Sequence, residues 1–312
     1  MKKLMFCWSV AVFCALMVSC SKEGQFNPKK KISTVSFSYT EKVEHMEGDT
    51  WVTDSDSSVS QHVSQKWEWY GDRLESIVHY NENGEIDYTE WFEYRKDKRL
   101  SAILSGPIDR YEFVYLKDML TTIKYYHGFT YEAAYVITYW GKRIGEISYI
   151  AYSSRAAEAH PLPSFVLDVL LSMPQVKGLE QVGSHKGAAS CEYVFSWDKN
   201  GDNVVCIGCH SPASEMSFLF AYDNKSNPMS GLWEMGSMEG CEHSYADFGY
   251  QGFISKNNIT HCSVLLDNKP LMDVQYTYTY KGDYPGSATW SYEYEDGGER
   301  HSASSTTVYE YQ

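Results

Sequence analysis

The chain has 312 residues, with 27 Lys and Arg against 41 Asp and Glu, and a formal net charge of −14 at pH 7. Nucleic acids and anionic lipids both require a basic footprint, so this charge argues against either as the main partner. The 26 Tyr and 9 Trp are spread along the chain and suit a half-buried pleated surface, which favours one continuous β architecture.

Residues 1–19 have the pattern of a signal peptide. Lys2 and Lys3 form a positive start, and an apolar stretch over residues 4–18 follows them. This stretch is shorter than the roughly 20 residues that a transmembrane helix requires, and no later apolar run reaches that length. Because Lys2 and Lys3 are the only charged residues of the segment, its removal changes the net charge from −14 to −16.

The end of this segment, Leu16-Met-Val-Ser19 before Cys20, resembles a bacterial lipobox. The resemblance implies cleavage before Cys20 and a lipoprotein that carries diacylglycerol on the Cys20 sulfur, with palmitate among its acyl chains. An ordinary secretory signal with an incidental Cys is the alternative. Two or three acyl chains would hold a folded domain stably on a membrane.

Ser21-Lys22-Glu23 resembles the export signal of Bacteroidetes surface lipoproteins. That resemblance implies an outer-membrane location in the cell envelope, with the cell surface as one option. We therefore predict a flexible tether over residues 20–31 and a single β-rich domain over residues 32–312.

One sequence unit recurs along the first half of the domain. Alternating aromatics, Trp67 and Trp69, are followed by a tight turn and by Leu74 and Ile77, two aliphatic residues three positions apart. Similar units cover residues 92–103, 113–123 and 137–147. Alternation with period two on both sides of a turn predicts β-hairpins that are half-buried on one face.

Other segments complete the predicted fold. Residues 33–45 alternate as a first strand, whereas the polar residues 49–64 are predicted to be a loop or a pair of edge strands. Residues 164–173 follow two prolines and end at Pro174, which predicts one short buried helix on the concave side of the sheet. A linker between two domains is the alternative for this segment.

The β pattern resumes at Cys191 and continues to the C-terminus. A closing Tyr309-x-Tyr311 would let the last strand pair with a neighbour and close the sheet. The predicted fold class is therefore all-β: a long antiparallel meander that forms a curved or barrel-like sheet, with one short buried helix near 164–173.

Four segments in the second half of the chain resemble those of a known family. Residues 220–228, 255–260, 276–280 and 283–285 are rich in Asn, Asp, Tyr and Pro. Together they resemble a group of Bacteroidetes cell-envelope lipoproteins of unknown function with a porin-like β fold. The hairpin units are also distantly similar to the tyrosine-aspartate repeats of β-shell proteins. The resemblance covers essentially the whole mature chain and implies no catalytic residues.

The cysteines after Cys20 admit three interpretations. A hairpin turn centred on Asn200 would place Cys191 opposite Cys209, which predicts a disulfide. Cys206-Ile-Gly-Cys209-His210 matches the c-type haem attachment pattern, but residues three apart on a strand point to opposite faces. A zinc site would use Cys and His pairs at 241–243 and 261–262. We predict structural cysteines, with no cofactor and no metal.

The predicted function is a non-enzymatic one, because the chain contains no phosphate loop, dinucleotide fingerprint or hydrolase motif. Exposed aromatic side chains can stack on sugar rings, and the candidate ligand-binding residues are Trp67, Trp69, Trp91 and Phe92. We predict a membrane-anchored binding or scaffold module for a glycan or a protein. The alternatives are an electron-transfer protein with haem at Cys206–His210 and a glycan hydrolase with paired carboxylates.

Overall fold

The chain folds into a closed barrel of sixteen antiparallel strands, in a computed structural model that describes residues 26–153, 190–210, 215–232, 255–296 and 298–312. Each strand pairs with its neighbours in sequence, and the last strand pairs with the first. The strands are β1 (Ile32–Glu47), β2 (Thr50–Tyr70), β3 (Arg73–Tyr80), β4 (Ile86–Tyr94), β5 (Leu100–Ser105), β6 (Asp109–Leu116), β7 (Met119–His127), β8 (Thr130–Trp140), β9 (Arg143–Ala151), β10 (Ser190–Trp197), β11 (Val204–His210), β12 (Glu215–Ser226), β13 (Asn257–Leu266), β14 (Lys269–Lys281), β15 (Tyr284–Asp296) and β16 (Glu299–Tyr311).

The two ends of the barrel differ. We call the end where β1 begins and β16 finishes the near end, and the opposite end the far end. The turns from each even-numbered strand to the next odd-numbered strand lie at the near end. Several are tight turns with a glycine in the left-handed region, such as Gly71 (φ 58°) and Gly282 (φ 77°), where a side chain would be strained.

The hydrophobic core lies on the inner face of the barrel wall. Trp67 faces Ile77 across β2 and β3, and Phe92 faces Ile103 across β4 and β5; all four side chains are buried. Burial of each such side chain contributes about 1.5–3 kcal/mol. The predicted all-β antiparallel meander and its closure by the last strand are confirmed.

The outer face is polar over the strands that close the barrel. Asp273, Gln275 and Thr277 alternate with inward tyrosine and valine on β14, and Thr289 and Ser304 occupy the equivalent positions on β15 and β16. The wall is therefore mainly apolar inside and hydrophilic outside in this region.

A β-bulge explains the aliphatic pair three residues apart. Trp67 pairs with Ile77 and Trp69 pairs with Leu74, so Glu75 is an extra residue on β3 and the register shifts there. The extra residue turns both Leu74 and Ile77 inward, although residues three apart on a regular strand face opposite ways. The same shift recurs between β4 and β5, β6 and β7, and β8 and β9.

One aromatic side chain lies at the near end of each of the eight strand pairs from β1–β2 to β15–β16, and we call these eight residues the aromatic anchors. Each donates a hydrogen bond to a main-chain carbonyl near the start of the preceding strand, two residues beyond the last ladder pair that the hairpin makes. The bonds are Trp69 to Ile32 (2.7 Å), Tyr94 to Leu74 (2.8 Å), Tyr115 to Leu100 (2.9 Å), Tyr139 to Leu120 (2.9 Å), Trp197 to Ile144 (2.7 Å), Tyr222 to Val204 (2.5 Å), Tyr278 to Ile259 (2.6 Å) and Tyr311 to Pro285 (2.8 Å). They satisfy carbonyl groups that the ladder leaves unpaired.

The structure corrects one local prediction, and a second prediction falls outside the described residues. Residues 49–64 are not a loop or two ragged strands: residues 50–64 belong to β2, a single strand of 21 residues that pairs with β1 over nearly its whole length. The predicted helix at 164–173 lies outside the described residues, and the described residues contain no helix. Accordingly, no helix of sufficient length and apolarity to cross a membrane occurs among the residues that were described.

Candidate functional site

The four aromatics predicted to bind ligand do not form an outward row. Trp67 is 2% exposed and Phe92 is 7% exposed, and both belong to the inner core. Trp69 is partly buried and serves as an aromatic anchor. Only Trp91 points outward, with 49% exposure, because neighbours on a strand face opposite sides. Three of these residues therefore have a packing role in the barrel wall.

The Cys206–His210 segment is a regular strand, as the alternation predicts. Cys206 lies opposite Ser196 and Cys209 lies opposite Tyr193, so the two sulfur atoms occupy opposite faces of β11. This geometry prevents both thiols from reaching one porphyrin. The predicted register, with Cys191 opposite Cys209, is wrong for two reasons: the turn spans six residues and closes with the Asp198 amide donating to the Asn203 carbonyl (2.9 Å), and the register shifts by one more residue between Ser196 and Trp197. The predicted Cys191–Cys209 disulfide thus loses the pairing on which it was based.

The pairs considered for zinc do not converge where the structure describes them. His261 faces outward and its Nε2 lies 3.1 Å from Asp273, whereas the Cys262 side chain is buried in the core. Residues 241–243 lie outside the described part of the chain. Within the part that is described, no group of three or more His, Cys, Asp or Glu residues could hold a metal ion.

A groove of about 680 Å³ crosses the outer face of β14, β15, β16, β1 and β2, and we call it the outer groove. Hydroxyl groups form much of its lining, from Thr40, Ser291, Ser302 and Ser304. The Thr40 and Ser304 hydroxyls lie 2.8 Å apart across β1 and β16. This contact fixes the position of two hydroxyls in the floor, since each restrains the other.

Charged and amide side chains border the same groove. Lys42, Asp56, Asp273, Gln275 and Glu293 line it. Lys42 donates to Glu44 (2.5 Å), and Asp273 accepts from the Ser263 hydroxyl (2.5 Å). Among the described residues, neither the Asp56 carboxylate nor the Gln275 amide makes a hydrogen bond. Both groups are therefore available to a ligand.

An arginine and a tryptophan lie at the end of the groove toward the far end of the barrel. The Arg300 guanidinium is 4.2 Å from the centroid of the Trp51 indole, close enough for a cation–π contact. The Arg300 Nε is 3.3 Å from Glu293, which lines the groove, and Nη1 is 3.9 Å from Glu44. This arrangement holds one Glu293 oxygen near a fixed positive charge.

The sequence contains a pattern of hydroxyl residues that indicates the outer groove, although the alternating aromatics are more conspicuous. Between the inward residues of 287–294 and 302–309, Ser and Thr recur at alternate, outward positions. The alternating tyrosines predict strands, but the pattern by itself gives no role to these hydroxyls. Their proximity depends on the pairing of β16 with β1, which joins residues 264 positions apart, such as Thr40 and Ser304.

A second polar group lies on the inner face toward the far end. The Glu90 carboxylate is fully buried, with Oε2 lying 3.3 Å from His79 and Oε1 without a hydrogen-bond partner. Glu90 faces Ser105, whose buried hydroxyl also has no partner within the described chain. Burial, together with nearby tyrosines and the carboxylates of Asp109 and Glu90, raises the pKa of Tyr111 well above its usual value. Burying polar groups without hydrogen-bond partners costs free energy, so this polar cluster interrupts the otherwise apolar core.

Exposed aromatics cluster at the far end, in the β7–β8 hairpin and at the end of β9. The rings of Tyr126 and Tyr131 are 5.3 Å apart, those of Tyr131 and Tyr152 are 4.8 Å apart, and Phe129 at the turn is fully exposed. Burial and a hydrogen bond to Tyr152 raise the pKa of Tyr131 to about 12. The three tyrosine rings therefore pack against one another at an exposed part of the barrel.

These features define a class of protein: a closed antiparallel β-barrel with a mainly apolar interior and a polar groove on its outer face. No protein-family model and no curated protein matches the chain. A solved porin-like protein from Bacteroides uniformis ATCC 8492 has a similar structure, with a TM-score of 0.52 and 12% sequence identity over 93% of this chain and 100% of that one. The chain therefore shares the porin-like β fold.

Two other solved structures resemble part of the barrel. One is TcdB2-TccC3, with a TM-score of 0.30 and 12% identity over 78% of this chain and 12% of that one. The other is the Photorhabdus luminescens Tc holotoxin pore, with a TM-score of 0.27 and 10% identity over 81% of this chain and 14% of that one.

Proposed function

We propose that the chain is a membrane-anchored envelope lipoprotein and that its barrel is a non-enzymatic binding module for a glycan. The observation that carries this proposal is the outer groove, with its hydroxyl, amide and carboxylate lining. Its volume of about 680 Å³ falls within the roughly 300–1,000 Å³ typical of ligand sites.

The chemistry of the lining suits a polyhydroxylated ligand. A carboxylate accepts hydrogen bonds from two neighbouring sugar hydroxyls, and the Asp56 carboxylate is free to do so. The Gln275 amide can donate and accept, and the Ser291 and Ser302 hydroxyls can adapt to either role. Charge-assisted bonds to Asp56 would be the strongest of these contacts.

Attachment through a lipid on Cys20 fits the polarity of the wall. A barrel that spans a membrane requires an apolar outer band, whereas Asp273, Gln275 and Thr289 lie on the outer face here. A porin-like fold is compatible with an outer-membrane or envelope location. The polar face supports a barrel that is tethered at the membrane rather than inserted in it. Lipidation is tested by measuring the mass of the protein extracted from membranes: the parent should show the added mass of the lipid, and Cys20→Ser should not.

A glycan array tests the binding proposal directly. The chain carrying Cys20→Ser should bind a defined subset of glycans, and Asp56→Asn combined with Gln275→Ala should reduce that binding by about tenfold or more. Asp87→Asn, on the exposed part of β4, is the matched control and should bind like the parent. An array without signal for the folded parent, or equal binding by the groove variant, would refute the proposal.

The same samples distinguish the two alternatives. A haem protein would show a Soret band and a mass increase, and the opposite orientations of Cys206 and Cys209 argue against that result. A glycan hydrolase would need two carboxylates about 5–10 Å apart and would release shortened products from a bound glycan. Unchanged glycan after incubation is the expected result.

A further inference from the structure

The fold collects positive charge at the near end of this acidic protein. The near end comprises residues 26–31, 70–73, 95–99, 117–118, 140–143, 198–203, 223–232, 255–256, 281–283 and 310–312. These segments hold 15 of the 27 Lys and Arg but only eight of the 41 Asp and Glu. The near end therefore carries a formal charge of +7, and the remainder of the chain carries −21.

The aromatic anchors explain why basic residues gather there. Lys31 lies 5.6 Å from the ring centroid of Trp69, and the Arg73 guanidinium lies 5.7 Å from that of Tyr94. Arg143 is similarly placed 5.3 Å from Trp197. A cation over an aromatic face is favourable, so the repeat places a Lys or Arg beside several anchors. The same end of the barrel consequently receives a positive charge from several hairpins.

Much of this charge faces solvent. Lys96, Lys142 and Lys199 are exposed in the turns that follow β4, β8 and β10, and Lys281 is exposed at the end of β14. Among the described contacts, none of these four ammonium groups has an acidic partner. Other cations of the near end are paired, as Lys31 is with Asp72 (3.3 Å). The unpaired group forms a surface able to attract anions.

The N-terminal segment leads into the same end of the barrel. Phe26 is 7% exposed, and its ring lies 5.8 Å from that of Trp69 and 6.4 Å from that of Trp67. Five residues separate Cys20 from Phe26, so even a fully extended chain would span only about 20 Å. A lipid on Cys20 would keep the near end close to the headgroups, where the Debye length is about 8 Å at physiological salt.

We infer that the near end is a docking surface for the anionic headgroups of the membrane that holds the lipid anchor. This inference rests on the proposed lipidation of Cys20. Several lysines close to an anionic surface act together, although each contributes modestly. Docking would orient the barrel with its near end on the membrane. The net charge of the whole chain gave no indication of this surface, because most acidic residues lie outside the near end.

The test uses the chain carrying Cys20→Ser, so that no lipid contributes to binding. Co-sedimentation is measured with vesicles of phosphatidylcholine alone and with 30% phosphatidylglycerol. We expect binding to the anionic vesicles that weakens as salt is raised. Lys96→Glu, Lys142→Glu and Lys199→Glu together should weaken it about tenfold or more. The control combines Lys66→Glu, Lys124→Glu and Lys269→Glu, with the same change in net charge away from the near end, and should stay within about twofold of the parent.

Three results would overturn the inference. The first is equal binding to both kinds of vesicle. The second is an equal loss in the near-end variant and its control, which would show that only net charge matters. The third is displacement by inorganic phosphate beyond that caused by chloride at the same ionic strength, which would indicate a site for free phosphate. Because this assay measures neither lipidation nor glycan binding, its failure would leave the proposed function standing.

Discussion

The Tyr139 hydroxyl donates a 2.9 Å hydrogen bond to the Leu120 carbonyl, across the β7–β8 hairpin and beyond the last rung of its ladder. The bond satisfies a carbonyl group at a point where the two strands no longer pair. Equivalent bonds occur in all eight strand pairs from β1–β2 to β15–β16, so each anchor provides a hydrogen bond to a main-chain carbonyl at the same place in the fold.

We therefore expect Tyr139→Phe to lower the free energy of unfolding by about 1 kcal/mol, because the partly buried ring is kept while its hydrogen bond to the Leu120 carbonyl is lost. Urea denaturation measures this difference. Tyr70→Phe is the control, since Tyr70 is 70% exposed and should change stability little. Equal effects of the two substitutions would show that the anchor bond contributes nothing to stability.

Glu90→Gln should stabilise the barrel. The Glu90 side chain is fully buried and one of its oxygens has no partner, so neutralising it at constant shape removes a desolvation cost of about 1–3 kcal/mol. The gain is measured by denaturation at pH 8. Glu75→Gln, on the exposed side of β3, should leave stability within about 0.5 kcal/mol of the parent. A loss of stability in Glu90→Gln would show that the contact with His79 outweighs the cost of burial.

The His45 side chain should make the β1–β2 hairpin sensitive to pH. Hydrogen bonds to Asp54 (2.8 Å) and to Glu47 raise the pKa of His45 above its usual 6.5. The stabilising effect of protonation is thus fully present below about pH 6.5 and is lost as the pH rises through the folded-state value. NMR titration of the imidazole should give a midpoint above 6.5.

Asp54→Asn should move that midpoint downward, because it removes the largest cause of the shift. Amide exchange in the hairpin should also distinguish the parent from His45→Gln at pH 6 but not at pH 9. A midpoint at or below 6.5 in the parent would contradict the contact between His45 and the two carboxylates.

Two cysteines should differ in their reactivity toward a maleimide at pH 8. Burial raises the pKa of both thiols, and for Cys262, which is 4% exposed in the core, the increase is much larger. We expect slow labelling of Cys206, which lies on the outer face, and labelling of Cys262 only after unfolding. Peptide mapping of a time course measures both. Labelling of Cys262 at the rate of Cys206 in the folded protein would place it outside the core.

Much of the fold could be predicted because inner and outer positions alternate with a period of two over most strands. Trp67 and Ile77 illustrate this, since each falls in its expected strand on the buried face. Residues 50–64 escaped prediction because they contain few apolar side chains and depend on β1 for pairing. A strand that is stabilised mainly by pairing with its neighbour lacks the apolar alternation from which a strand is predicted.

The register and the site required the structure. The β10–β11 turn spans six residues and the register shifts again between Ser196 and Trp197, so Cys209 faces Tyr193 and not Cys191. The outer groove depends on the meeting of β1 and β16, and no local pattern specifies which outward hydroxyls from the two ends of the chain become neighbours. The basic near end could not be predicted from the sequence either, because the turns that form it are far apart along the chain.

Closure of the ring by β16 has a consequence for how the protein folds. The pairing of Val35 with Tyr309 joins positions 274 residues apart, so the final step of assembly must wait for the last strand. Contacts of such long range slow folding, and until they form both β1 and β15 present unpaired backbone groups. A chain that lost β16 would keep those two edges open and become a template for self-association. The C-terminal strand therefore protects the chain against aggregation as well as completing its architecture.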